Sequence, residues 1–290
     1  MFDYRYHALS LAAVLLALAV GVLIGVAIGD SNLVSSAKSG IVADLNSEVD
    51  GAHRQIGQLQ DQLAEQEAFS NGLYPLAVHD LLNGRDIGLV FLGGSSDEVD
   101  GLVRTALAQA GGSLTAVAAV REPLDLQGIE QEAAGTRYAA LSGQPALVAR
   151  FGELAGRQLV SGGPLVAREL LSRVRASLLS AFDGQLSRLD GLVVMRAEPD
   201  GMDPEQSEAN SAFAAGLLSG VAAVGVPTVG VELTKTEPSQ VPWYESKNLS
   251  SVDDLDTRAG QAALVYALAG AHGAYGVKPT ADSLLPSAVP

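Results

Sequence analysis

The 290-residue sequence contains no cysteine. That excludes disulfides, thiolate nucleophiles, thiolate zinc sites and iron–sulfur clusters. Other soft donors are scarce, with three methionines and four histidines, whereas a soft-metal site gathers several thiolates or thioethers. Positive charge is also short: 18 Lys and Arg stand against 33 Asp and Glu, a formal net charge of −15. Nucleic-acid binding and a basic membrane-surface patch both need clustered cations, and neither suits that balance. Charged residues make up only 18% of the chain and hydrophobic ones 48%, which excludes a disordered polymer. The sequence has no G-x-S-x-G elbow, no G-x-G-x-x-G, no Walker pattern and no H-x-x-x-H pair. No cofactor is implied by the residues themselves, and the chain is expected not to be an enzyme.

What is present falls into three segments: residues 1–30, an anchor; 31–72, a coiled coil; and 73–290, an α/β domain. From Ala8 to Gly29 no residue is charged over 22 positions. At about 1.5 Å per residue that run spans a hydrocarbon core of ~30 Å. A cleaved signal peptide is the alternative, but the run exceeds the usual signal-peptide length. Gly21, Gly25 and Gly29 recur every four residues, a spacing that packs two membrane helices closely. Arg5 and the amino terminus precede the run, with Tyr4, Tyr6 and His7 at its edge. Asp30 and then Lys38 follow. The bias predicts a single-pass cell-membrane protein with a cytoplasmic N-terminus and an extracytoplasmic C-terminal domain.

The second segment carries heptads. Val42, Val49, Ile56 and Leu63 occupy a positions, and Leu45, Ala52, Leu59 and Gln66 follow at d. β-Branched a positions with leucine at d favour a parallel two-stranded coil, hence a homodimer. A lone amphipathic helix packed on the domain is the alternative, since Gly51 and Gly57 each weaken a helix by about 1 kcal/mol. Asn71-Gly72 and Pro75 are read as the stop.

The third segment alternates short apolar runs with helical stretches. Strands are read at 87–92, 114–120, 192–195, 228–233 and near 251–252, with helices at 97–110, from 203 or 207 to 224, and 257–269. A mostly helical insertion is read over 126–186. Continuous apolar strands separated by helices predict a doubly wound, Rossmann-like, mostly parallel sheet, with strand order 2-1-3-4-5.

Ligands of such sheets bind at the carboxyl ends of the strands. Gly93, Gly94, Ser95 and Ser96 follow the first strand and offer backbone N–H groups to an anion; the plain alternative is a tight turn with a serine capping the helix. Asp253, Asp254 and Asp256 form a hard-cation candidate or, more simply, a helix cap. Asp200, Asp203, Glu205 and Glu208 read as a solvated loop and helix start. Trp243 and Tyr244, in a Pro-bounded loop, anchor a protein partner or pack on their own domain.

The stretch Arg5-Tyr6-His7-Ala8-Leu9-Ser10-Leu11-Ala12-Ala13-Val14, with Leu16 to Gly21 after it, resembles the mycobacterial copper transport protein B family of actinobacteria. The likeness continues through the coil, Val252 to Gly260 and Tyr275-Gly276-Val277. The resemblance implies copper export or homeostasis in the cell envelope, and it alone brings copper into consideration. It further implies a link to daughter-cell separation alongside a cytoplasmic partner, as described for corynebacterial relatives. Three functions follow as expectations: a dimeric envelope scaffold or regulator with a protein partner, a copper homeostasis protein, and a small-ligand sensor or enzyme at Gly93–Ser96.

Overall fold

The computed structural model describes residues 4–29, 31–185, 187–197 and 201–287; the side chains of residues 4, 5 and 31–37 lie outside the description, as do Asp30, Leu186 and Asp200 altogether. The contacts divide the chain into two compact units, Met1–Glu67 and Ala68–Pro290.

The first unit is helical. Helix α1, Tyr4–Ile28, contains a 23-residue stretch, Tyr6–Ile28, with mean hydropathy 2.9 and no burial, long and apolar enough to cross a membrane. Helix α2 runs from Ser31 to Val78. Its seam residues Val42, Leu45, Val49, Ile56, Leu59 and Leu63 are 48–59% exposed in the single chain, and Ala52 is exposed with them.

The expected stop at Asn71-Gly72 and Pro75 is corrected: α2 continues through all three. Tertiary contacts override the local signal, as they commonly do for helices. Within the second unit Tyr74 and Val78 are buried, the Tyr266 hydroxyl donates to the Ala77 carbonyl at 2.9 Å, and Arg258 Nε donates to Asn71 Oδ1 at 2.7 Å.

The second unit is an open seven-stranded sheet: β1 Asp86–Leu92, β2 Ser113–Val120, β3 Leu179–Gly184, β4 Gly191–Arg196, β5 Thr228–Val231, β6 Ser250–Val252 and β7 Ala274–Tyr275. The order is β3-β2-β1-β4-β5-β6-β7, parallel except for the antiparallel β2–β3 edge. The five strands read from the sequence lie in the order expected of them, and β3 and β7 extend the sheet at its two ends. β3 corrects the helical reading of 126–186. Its residues are exposed or half-buried, so it lacks the continuous apolar run of a central strand.

Strand alternation builds two cores. Ile87, Leu89 and Phe91 face α3 (Asp97–Gln109) and α10 (Arg258–Ala269), whereas Val90 and Leu92 face the layer of α4 (Leu126–Glu132), α5 (Pro145–Ser161) and α8 (Pro204–Ala222). Helices α6 (Leu165–Arg173) and α7 (Arg175–Leu178) lead into β3, and α9 (Val241–Ser246) lies inside the stretch read as a loop. α5 and α8 pack backbone to backbone. A Cβ at Gly156 would strike the Leu217 carbonyl, and one at Gly216 the Ala149 carbonyl. Gly152 and Gly220, four residues from these on the same helices, are equally close to the facing backbone, so small residues four apart serve close helix packing inside this domain.

Candidate functional site at the carboxyl edge of the sheet

The carboxyl ends of β1 and β4, where neighbouring connections diverge, form the usual ligand crevice of this architecture. Gly93 leaves β1 with φ +110°, and a Cβ there would collide with the Ala197 carbonyl. Close approach of backbone to backbone therefore requires glycine at this point. Gly94 and Ser95 are exposed. Ser96 caps α3, its hydroxyl accepting from the Val99 N–H at 3.3 Å. The turn thus supplies helix capping, the simpler of its two expected roles.

Beside the turn, a crevice lined by Glu122, Arg196, Met202, Asn210 and Trp243 has a volume of about 20 Å³. That is room for about one water. The Met202 thioether accepts from the Asn210 amide at 2.9 Å. The Arg196 guanidinium lies 4.9 Å from the Trp243 ring centroid and hydrogen-bonds the Gln240 side chain.

The three aspartates point apart. Asp253, fully buried, accepts from the Val277 and Lys278 N–H groups at 2.8 and 3.1 Å. Asp254, also fully buried, accepts from the Thr257 hydroxyl at 2.7 Å, while its other oxygen has no partner. Burial, more than the neighbouring Asp253 and Asp256 charges, pushes the Asp254 carboxyl above its ordinary value. Asp256 accepts from both the Thr234 N–H and hydroxyl at 2.8 Å. Thr257 is the N-cap of α10. The cation reading is corrected on this ground: each carboxylate has different partners, backbone N–H groups for Asp253, the Thr257 hydroxyl for Asp254 and Thr234 for Asp256. Among the described residues no group of three or more His, Cys, Asp or Glu side chains is placed to hold a metal.

The acidic run near Pro204 resolves into a capping box, with Asp203 and Gln206 satisfying each other's backbone N–H groups and Glu205 in the first turn of α8. Tyr244 is fully buried, its hydroxyl donating to the Val231 carbonyl and accepting from the Arg196 N–H, both at 3.0 Å. It belongs to the domain's own core, which corrects its place in a partner loop; Trp243 beside it is half-buried.

Sequence reasoning missed the residues that organise this edge. Glu232 and Lys278 form an ion pair at 2.7 Å with side chains 1% and 9% exposed. The Lys278 ammonium also donates to the Leu233 and Thr236 carbonyls, at 3.1 and 2.7 Å. Glu232 accepts from the Ser239 hydroxyl at 2.8 Å and from the Gln240 N–H. With Asp253, this network holds the stretch 276–278 against the ends of β5 and β6. The one available signal is Glu232 itself, the lone charge in the run 228–233.

Comparison with known proteins gives a consistent result. A family described as "Copper transport outer membrane protein, MctB" matches residues 1–286. Proteins named copper transporter MctB from Mycobacterium bovis and Mycobacterium tuberculosis are each 26% identical over 292 aligned residues, covering 92% of this chain and 92% of theirs. The Mycobacterium leprae protein of that name is 31% identical over 132 residues, covering 45% of this chain and 41% of its own.

Proposed function

The chain belongs to the MctB family of copper transport outer membrane proteins, and from that premise we propose that it serves copper homeostasis in the cell envelope as a membrane-anchored protein without a copper cage of its own. The observation that carries this reading is the match across nearly the whole chain, anchor included. The names of the relatives favour copper over cell separation, which finds no support among them.

Copper is cargo in this proposal. The donors do not suit tight copper(I) capture: cysteine is absent, Met202 is engaged by Asn210, and Met195 packs against the core. The anchor is helical, a form that satisfies its own backbone inside a bilayer, and the sheet is open, unlike a closed outer-membrane barrel. The proposal therefore places the chain on the cell membrane, N-terminus in, with the α/β unit outside. The exposed seam of α2 supports self-association as a parallel pair. In this arrangement the α/β unit engages another envelope protein, and copper handling depends on that assembly.

Deletion of the gene in its own host, complemented by the full chain or by a chain lacking residues 4–29, tests the reading. The deletion strain is expected to lose copper tolerance and accumulate cell copper, and only the anchored chain restores both. Unchanged tolerance and unchanged copper content in the deletion strain overturn the copper role. Stoichiometric, nanomolar copper(I) binding by the full-length protein in nanodiscs overturns the absence of a cage.

A further inference from the structure

A second cavity lies away from the carboxyl edge, between the β1–β2–β3 side of the sheet and the α5–α8 layer, flanked by α6 and α7. Val90 and Ala118 contribute from the sheet, and Leu159, Leu171 and Phe182 from its surroundings. Its volume is about 190 Å³. An apolar cavity of ~150 Å³ already holds a benzene molecule, and at about 30 Å³ per water-sized group this one takes roughly six methylenes.

Two features make it more than a packing gap. In a chain of net charge −15, the charged side chains among its described lining are both cationic, Arg168 and Arg175, and both are exposed. The lining also includes Gln158, a side chain 1% exposed whose Oε1 has no hydrogen-bond partner. Its Nε2 donates to the Gly162 carbonyl at 2.8 Å, and Arg168 Nη2 donates to the same oxygen at 2.6 Å. Amide and guanidinium are therefore neighbours. A buried amide oxygen without a donor is disfavoured, and a ligand that brings a donor relieves it.

We propose that this cavity binds a medium-chain hydroxy acid, one with about six alkyl carbons. The alkyl chain lies among Val90, Ala118, Leu171 and Phe182, the carboxylate pairs with Arg168 and Arg175, and a hydroxyl close to the carboxylate donates to Gln158 Oε1. Each part answers one observation: the apolar walls, the two cations of a lining without a carboxylate, and the orphaned acceptor beside one of those cations. Arginine forks suit a carboxylate bidentately.

The full-length protein in lipid nanodiscs, treated with a diazirine analogue of 3-hydroxyoctanoic acid and mapped by mass spectrometry, tests this. Helix α1 reports simple partition of the probe into the bilayer. The expected result is saturable labelling of peptides bearing Leu159, Leu171 or Phe182, displaced by unlabelled 3-hydroxyoctanoate about tenfold better than by octanoate, as one hydrogen bond provides. Gln158→Met erases that preference, and Arg168→Gln with Arg175→Gln weakens labelling by about tenfold or more, the scale of charge-assisted bonds. Ala118→Leu, which fills the cavity, removes the labelling at unchanged unfolding temperature; Leu171→Trp is the second filling variant should the first fail to fold. Labelling confined to α1 overturns the proposal, as does equal displacement by uncharged octanol or by octyl phosphate.

Discussion

Lys278→Met examines the network that closes the carboxyl edge. The substitution removes three donations, to Glu232, Leu233 and Thr236, and leaves a carboxylate that is 1% exposed without its counter-ion. Removing one partner of a buried pair costs about 3–5 kcal/mol, because the other charge stays buried. Glu232 retains the Ser239 hydroxyl and the Gln240 N–H as donors, which places the expected loss near the lower bound, about 3 kcal/mol. For a unit of this size each kcal/mol shifts Tm by ~2–4 °C, so the drop is about 6–12 °C. The sole tryptophan, Trp243, lies in the same unit, so its fluorescence reports urea unfolding of the full-length protein in mild detergent. The midpoint is expected to fall at constant slope. Glu232→Gln combined with Lys278→Met removes both charges, and the pair should be less destabilised than the sum of the singles by about 2 kcal/mol or more. A single-mutant loss below about 1 kcal/mol, or simple additivity, refutes the claim that this pair holds the edge together.

Other outcomes follow from the same geometry. Gly93→Ala forces a Cβ onto the Ala197 carbonyl at a left-handed φ, whereas a Cβ added at Gly94 would meet no atom within 4 Å; thermal unfolding should show a loss of more than about 2 kcal/mol for the first and under ~0.5 kcal/mol for the second, and the reverse order refutes the turn geometry. The Asp254 carboxyl has a raised folded value, so its contribution is fully present below the unfolded value and is lost as pH rises through the folded one. Asp254→Asn removes that titration, so its stability relative to the parent must improve with rising pH above about 4; a flat or falling difference in denaturant midpoints contradicts the buried state. Leu59→Asp puts a charge in the middle of the α2 seam, and analytical ultracentrifugation of the full-length protein in density-matched detergent should show dimer lost to monomer. A parent chain that is already monomeric at tens of micromolar refutes the seam.

Short-range rules carried the legible part of the fold. The apolar runs at 87–92 and 192–195 mark central strands because both of their faces are buried. Asp203 and Thr257 mark helix starts because their side chains satisfy N–H groups three residues away. Where tertiary contacts decide, these rules fail. Pro75 stays inside α2 where Tyr74 and Val78 are buried and the Ala77 carbonyl finds a donor in Tyr266. β3 takes its strand state from pairing with β2, since its own residues are largely exposed. The site shows the same division. The turn at Gly93–Ser96 was legible as a turn, whereas Glu232 and Lys278 meet across 46 positions through the parallel topology, which no local motif encodes.

The polar chemistry of the carboxyl edge is therefore architectural. Asp253 holds the segment after β7, Asp254 and Thr257 shape the start of α10, Asp256 holds Thr234, and Lys278 fills the space beyond β5 with its own ammonium group. A doubly wound sheet ordinarily receives ligand at that edge, but here the room left beside Gly93 is that of about one water. The larger apolar space lies under the helical insertion between β2 and β4, where α5, α6 and β3 surround it. An insertion that adds an edge strand, buries an amide oxygen without a donor and places two arginines beside an apolar cavity adds a different kind of surface to the Rossmann-like frame. Substitutions in the cavity walls should accordingly change probe labelling at unchanged unfolding temperature, while those around Asp253 to Gly260 lower that temperature.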